Sequence, residues 1–479
     1  MNGNPPAERT PSMNNQIPER HGMLAQHLKA YVRVFVFLAI GAACLPTAQP
    51  ETPSPVITPA TATPSFTPSP YPFTATPTET PEPVTIQWWG IDPGEPQEAE
   101  MLIQADAFGQ SHPHVTVQLT ILDRDDFNQQ IAAALESDNP PSLFQNEGDW
   151  RITAFADTGL IRDISTEFDA AWQADFLQAP LDRFVYDGKQ YGLPRDGGPV
   201  GIWYNKSLFQ QAGISQQTPN TWEELLSVVQ RLKGAGILPI ALGEAEKWSG
   251  AFWWEYLALR LGGLAAIEAA ISRQGAFTDP PFVQAGEELG RLIALHPFPA
   301  GFLYMDTYPG ASTLFGDGVA AMHLMGYWEK DYQRRSSSTG QGIGADLGWF
   351  PFPAVAGGAG NPAEVLGGVY GWLIGADAPA ETVEFLKYIT SEEEQCQAAG
   401  LGMLPATAAA GGCLQDPHLT TLWQAMQQAG YLQIYYDVLL PPATGAKVND
   451  AVAGLFAGTI TPENAARKIE DTYALEVGG

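Results

Sequence analysis

Tyr191-Gly-Leu-Pro-Arg-Asp-Gly-Gly-Pro-Val-Gly-Ile-Trp-Tyr-Asn-Lys206 places four glycines and two prolines before a short apolar run. That composition predicts a backbone that passes through conformations other residues avoid and then straightens into a strand. A chain leaves one compact body and enters another in this way. With 479 residues the protein is too long for one ordinary domain, and two lobes are expected.

Upstream of the crossover, Val84-Thr-Ile-Gln-Trp-Trp89 reads as a strand, followed by the turn Gly90-Ile-Asp-Pro-Gly94. A helix over 97–111 and a strand over 115–121 complete a β-α-β start, which implies an α/β fold with a mostly parallel sheet. Ligands of such sheets meet the loops at the strand C-terminal ends, so Trp88, Trp89 and Asp92 are candidate contacts. A helix over 126–135 and a strand over 142–145 deliver Glu147, Asp149 and Trp150 to the same rim.

Downstream, Thr221 and Glu224 form a capping-box pattern, and Trp222 between them is expected in the core. Further on come Trp248, Phe252-Trp-Trp254, the run from Leu314 to Gly326-Tyr-Trp328, the segment Gly367-Gly-Val-Tyr-Gly371 and Gly400-Leu-Gly-Met-Leu-Pro405. Ser391 begins a helix by the same capping logic. Thr461-Pro462 opens a closing helix with Ala465, Ile469 and Tyr473 on one buried stripe.

These pieces together resemble the extracellular solute-binding proteins that deliver sugars to ABC transporters, from about Val84 to the C-terminus. The resemblance implies a two-lobed periplasmic-binding-protein fold with a ligand cleft at the hinge crossovers. Lobe 1 is expected over 84–197 and 366–407, and lobe 2 over 198–365 and 408–479, with a third crossing at Gly400 to Pro405. It also implies ligand contacts from the second lobe around Trp248 and Trp253, a Trp328 platform beside Glu329, and hinge contacts at Gly368 and Tyr370.

A sugar presents hydroxyls at its edge and C–H faces above and below, so its receptor needs aromatic platforms with polar side chains at the rim. Buried polar groups of that kind are tolerable where the ligand pairs them. Aromatics beside acids recur in the predicted loops, Tyr436 with Asp437 being a further case. Arg195 and Asp196 sit at the crossover, able to touch a ligand on closure or to pair with one another.

The formal charge of −29, from 24 basic and 53 acidic residues, argues against a nucleic-acid partner. Three cysteines occur, at 44, 396 and 413. Cys44 follows a basic stretch and a short apolar run, the layout of a secretory signal. Ile40-Gly41-Ala42-Ala43-Cys44 resembles a bacterial lipobox, with Gly41 where a larger aliphatic residue is usual. Residues 1–43 are therefore expected to be a signal peptide with an extended leader, translation starting at Met1 or Met23. Residues 44–83 would be a lipid-anchor cysteine and a linker; between 46 and 83, 12 of 38 residues are Pro and 10 are Thr. The even number of Cys396 and Cys413 and an oxidising location favour one disulfide between them over two free thiols.

No metal or cofactor is expected. Asp123-Arg-Asp125 lacks the glycine and the final glutamate of a calcium loop, Gly340 to Gly344 lacks the spacing of a dinucleotide loop, and no phosphate-binding Walker loop occurs. Two functions follow. One is a lipid-anchored, monomeric receptor that presents a mono- or oligosaccharide to a membrane permease, polyols and other small solutes being variants of it. The other is a secreted glycoside hydrolase or lyase, which needs two convergent carboxylates such as Glu147 with Asp149 or Glu329 with Asp331.

Overall fold

Twelve strands appear in chain order in the computed structural model, which describes residues 81–94, 96–214 and 218–478. The leader, Cys44 and nearly all of the linker lie outside the described residues. The strands are β1 Val84–Ile91, β2 Val115–Leu122, β3 Leu143–Asn146, β4 Val185–Tyr186, β5 Lys189–Gln190 and β6 Gly192–Pro199. They continue as β7 Gly201–Asn205, β8 Leu238–Ile240, β9 Ala320–Met325, β10 Leu347–Phe350, β11 Val365–Ile374 and β12 Leu432–Ile434.

The first sheet has the order β12-β11-β3-β1-β2, with β6 also on β11; the second has the order β10-β7-β9-β8. The pairs β1/β2, β1/β3, β11/β12 and β8/β9 are parallel, whereas β11/β3, β11/β6, β7/β9 and β7/β10 are antiparallel. The sheets are thus mixed, not mostly parallel as expected. The β-α-β start supplies parallel pairs, but strands at the lobe boundary run back along their neighbours.

Alternation along β1 explains one face of the first lobe. Ile86 and Trp88 point into a cluster with Met101 and Phe108 of the helix Gln97–Ser111 and with Phe385 of the helix Glu381–Ile389. The opposite face is covered by the helix Arg124–Leu135, which Asp123 caps by accepting from the Asp126 N–H, and which buries Phe127 and Ile131. In the second lobe the capping box at Thr221 is complete, and Thr461 caps the helix Pro462–Glu476, burying Ala465, Ile469 and Tyr473. Trp222 is in the core, donating its indole N–H to Glu288. A long helix starts at Trp248 and is broken at Gly263, whose φ of 64° lies in the left-handed region, before continuing to Ile271.

Only Val200 separates β6 from β7, so the first passage between lobes is one residue long. The glycines there serve a different purpose from the one expected. None of Gly192, Gly197, Gly198 and Gly201 has a positive φ; a Cβ at Gly197 would instead meet the Gly368 carbonyl oxygen at 2.7 Å, and one at Gly198 the Tyr327 ring at 2.5 Å. Close approach of backbones, not unusual torsion, requires them.

The chain re-enters the first sheet through β11. The expected third crossing at Gly400 to Pro405 is not a crossing: Leu404 and Ala406 lie beside β6, where Gly197 N–H donates to the Leu404 carbonyl and Ala406 N–H to the Arg195 carbonyl. The helix Pro417–Gln428 then touches both bodies, Trp423 bonding to the Pro405 carbonyl and His418 to the Leu347 carbonyl. Residues 432–434, expected in lobe 2, add β12 to the first sheet, and the passage comes after them, where the Tyr436 N–H donates to Glu255 of the long helix. Cys396 and Cys413 are joined in a disulfide. No helix among the described residues is long and apolar enough to cross a membrane.

Candidate functional site

A cavity of about 480 Å³ opens between the lobes beside the β6/β11 ladder. Its two walls differ in chemistry. The first lobe contributes Asp92, Gln97, Arg124, Gln145, Arg195 and Asp196, together with Tyr370 from β11; the second contributes Trp248, Tyr308, Tyr327, Trp328 and Tyr332.

The polar wall is fixed by the ends of strands. Asp92 follows β1 and is exposed; its Oδ1 accepts from the Gly94 N–H at 2.7 Å. Gln145, next to last in β3, is buried and accepts from the Ile91 N–H at 3.1 Å, which orients its amide. On β6, Arg195 Nε donates to Asp196 Oδ2 at 2.5 Å while its guanidinium lies over the Trp372 ring. Burial works against the Arg195 charge, and Asp196 more than offsets it. Across the gap Tyr327 donates to Asp196 Oδ1 at 3.2 Å, a side-chain bond between the lobes. Burial pushes the Tyr327 hydroxyl well above its ordinary pKa and Asp196 adds to that, so it remains a donor. Tyr370 is likewise pushed up to about 12 by burial.

The aromatic wall is cross-braced. Trp328 follows β9 after Gly326 and Tyr327; a Cβ at 326 would sit 2.3 Å from the Trp328 ring, so glycine lets the indole fold back over the turn. Trp328 Nε1 donates to Tyr308 Oη at 2.6 Å. Tyr308 stacks obliquely on Tyr332 at 4.3 Å and lies 5.9 Å from Trp248 between centroids. Such half-exposed faces suit the C–H surfaces of a ring lacking charge.

Of the residues expected at the site, Asp92, Arg195, Asp196, Trp248, Trp328 and Tyr370 line this cavity. Trp88 does not: it is fully buried against Trp372 and Phe385, at 5.2 and 5.0 Å, because it shares the inward face of β1 with Ile86. Trp89 is half-buried on the other face and packs on the larger core. Trp253 sits in the second-lobe core against Trp222 and Phe352. Glu329 is fully buried, bonded to Ser312 Oγ and to His323 Nδ1 at 2.9 Å, and so ties the Trp328 turn to two neighbouring elements from behind.

Gly368 lies beneath the Tyr435 ring, and Tyr436 is buried against Trp254. Glu147, Asp149, Trp150 and Asp437 line a different cavity, described below. Sequence reasoning missed Gln97, Arg124, Gln145, Tyr308, Tyr327 and Tyr332. Gln145 and Tyr327 were within reach of it, since each stands at or just beyond the C-terminal end of a strand, where ligands of such sheets gather.

A family model described as bacterial extracellular solute-binding protein matches residues 93–395. The chain belongs to the bacterial extracellular solute-binding proteins. Over 272 residues this solute-binding protein is 23% identical to an uncharacterized ABC transporter extracellular-binding protein of Pyrococcus horikoshii, covering 56% of this chain and 59% of that one. Against the diacetylchitobiose binding protein DasA of Streptomyces coelicolor, 24% identity extends over 327 residues, 67% of this chain and 73% of DasA. Among solved structures, a chitin oligosaccharide binding protein matches with a TM-score of 0.71 at 23% identity, covering 83% of this chain and 100% of its own. The two-lobed α/β fold of this solute-binding protein is the one that structure shares.

Proposed function

We propose that the protein captures a neutral mono- or oligosaccharide between its lobes and presents the closed form to the permease of an ABC importer. It acts as a monomer at the outer face of the cytoplasmic membrane, held by a lipid on Cys44, and makes or breaks no bond in its ligand.

The observation that carries this reading is the pairing of one aromatic wall and one hydrogen-bonding wall across a single interlobe cavity. A pyranose offers both surfaces, and each lobe answers one of them. Asp196 is already compensated by Arg195, which suits a ligand without charge. The names of DasA and of the chitin oligosaccharide binding protein support the same class of ligand. Closure stabilises the complex to the extent that the ligand binds the closed form more tightly than the open one.

Neither carboxylate pair weighed for a glycosidase, Glu147 with Asp149 or Glu329 with Asp331, lines this cavity. Glu147 accepts from Arg124 at 2.6 Å, Asp149 is paired with Arg151, and Glu329 is buried away from the cavity. Calorimetry of the purified protein against a panel of neutral sugars tests the proposal: saturable binding with the sugar recovered intact is expected. Release of new reducing ends, or no heat from any sugar, overturns it. Labelled fatty acid recovered on the wild-type protein and absent from Cys44→Ser tests the anchor.

A further inference from the structure

A second cavity, of about 550 Å³, lies beyond Arg124, and that residue forms part of the wall of both. Its guanidinium is the partition. Nη1 donates to Glu147 Oε1 at 2.6 Å on the second-cavity side, and Nη2 donates to Tyr370 Oη at 3.3 Å on the side of the first. The new cavity is also bounded by both lobes, by Trp150 and Arg151 on one side and Asp437 and Asn449 on the other.

Resting on the saccharide reading above, we propose that the two cavities are one cleft, and that the ligand is a neutral oligosaccharide whose chain passes over Arg124 to end against Trp150. The chemistry of the second cavity repeats that of the first. A half-buried indole stands beside polar groups whose charges are internally matched: Glu147 with Arg124, and Asp149 with Arg151. Asp437 accepts from Asn449 at 2.9 Å. Burial raises the Asp437 pKa, with the Asn449 hydrogen bond partly opposing it, so this carboxyl is less readily charged than an exposed one. Hydroxyl groups fit such a surface, whereas an ionic ligand would have to break an existing pair. Each cavity alone is of the size that holds one small ligand, so a monosaccharide would leave the second filled with water.

The test is calorimetry on the full chain with chitin-type and maltodextrin-type ladders from monomer to hexamer. In the ladder that binds, affinity should rise about tenfold or more from dimer to tetramer. Trp150→Ala should abolish that gain. Ala132→Trp, which fills the same cavity from the exposed face of the helix Arg124–Leu135, should abolish it too, and carries the test if the first variant melts early. Affinity that is flat with length, or a gain that survives both variants, overturns the extended cleft while leaving sugar binding intact. No binding by any member of either ladder, or of the wider sugar panel, overturns the saccharide reading itself.

Discussion

Trp328 and Tyr308 are joined by a 2.6 Å hydrogen bond from indole to phenol, so the two rings on the second-lobe wall are held as one surface. Truncating Trp328 to alanine should cost at least about 2 kcal/mol of sugar affinity, roughly thirtyfold. Because the ring is only partly buried, the melting temperature of the ligand-free protein should fall much less than for a ring enclosed in the core. Tyr308→Phe keeps the ring but leaves the indole N–H without its acceptor, and should weaken binding by a smaller factor. Calorimetry beside a thermal melt separates the two quantities; a large loss of apo stability in Trp328→Ala would place the ring in the core instead.

Trp88→Ala should behave in the opposite way. The residue is enclosed by Trp372 and Phe385, and its loss leaves a cavity costing about 3–5 kcal/mol of folding free energy. Denaturant unfolding of the ligand-free protein reads this directly. If Trp88→Ala keeps its unfolding midpoint yet loses sugar, the assignment of this ring to the core is wrong.

Capping was the most legible layer of the fold. Thr221 with Glu224, and Thr461 before Pro462, mark helix starts at the residues where they occur, since the cap satisfies N–H groups within a few positions. The glycine before Tyr327 and Trp328 was equally informative. Trp88 and Trp89 were not separable, because neighbouring residues of a strand point to opposite faces and nothing local says which face will be covered. Tyr308 belongs to an irregular turn over 307–311, which has no periodicity to read, and Arg124 is the first residue of a helix, where a cation is not a usual signal. The lobe boundary near β12 was hidden for another reason: three residues pair with strand residues 67 positions earlier, a long-range fact.

Burial pushes the Glu244 carboxyl up to about 9, only partly offset by the Gly250 backbone, from an ordinary 4.5. The folded chain therefore keeps a proton that the unfolded chain releases, and this group's contribution to stability is full below about pH 4.5 and declines as pH rises toward 9. Glu244→Gln should remove that decline, gaining melting temperature over the wild type progressively from mildly acidic to alkaline buffer. Parallel melting curves across the range would mean that Glu244 does not titrate differently in the two states.

The Cys396–Cys413 bridge closes a loop with a sequence separation of 17. Loop-closure entropy of that size corresponds to about 3 kcal/mol. The double serine variant should unfold at lower denaturant by that amount, and the wild type in excess thiol should move to the same midpoint. An unfolding midpoint indifferent to thiol would indicate that the bridge contributes nothing.

The division of labour between the two walls has a kinetic meaning. Indole and phenol faces accept almost any ring with axial C–H bonds, so association should proceed at similar rates for many sugars. If the ligand is a saccharide, Asp92, Gln145, Arg195 and Asp196 are the groups that would engage its hydroxyls and distinguish one stereoisomer from another. On that reading, selectivity would be a matter of how long each guest stays, not of how quickly it is caught.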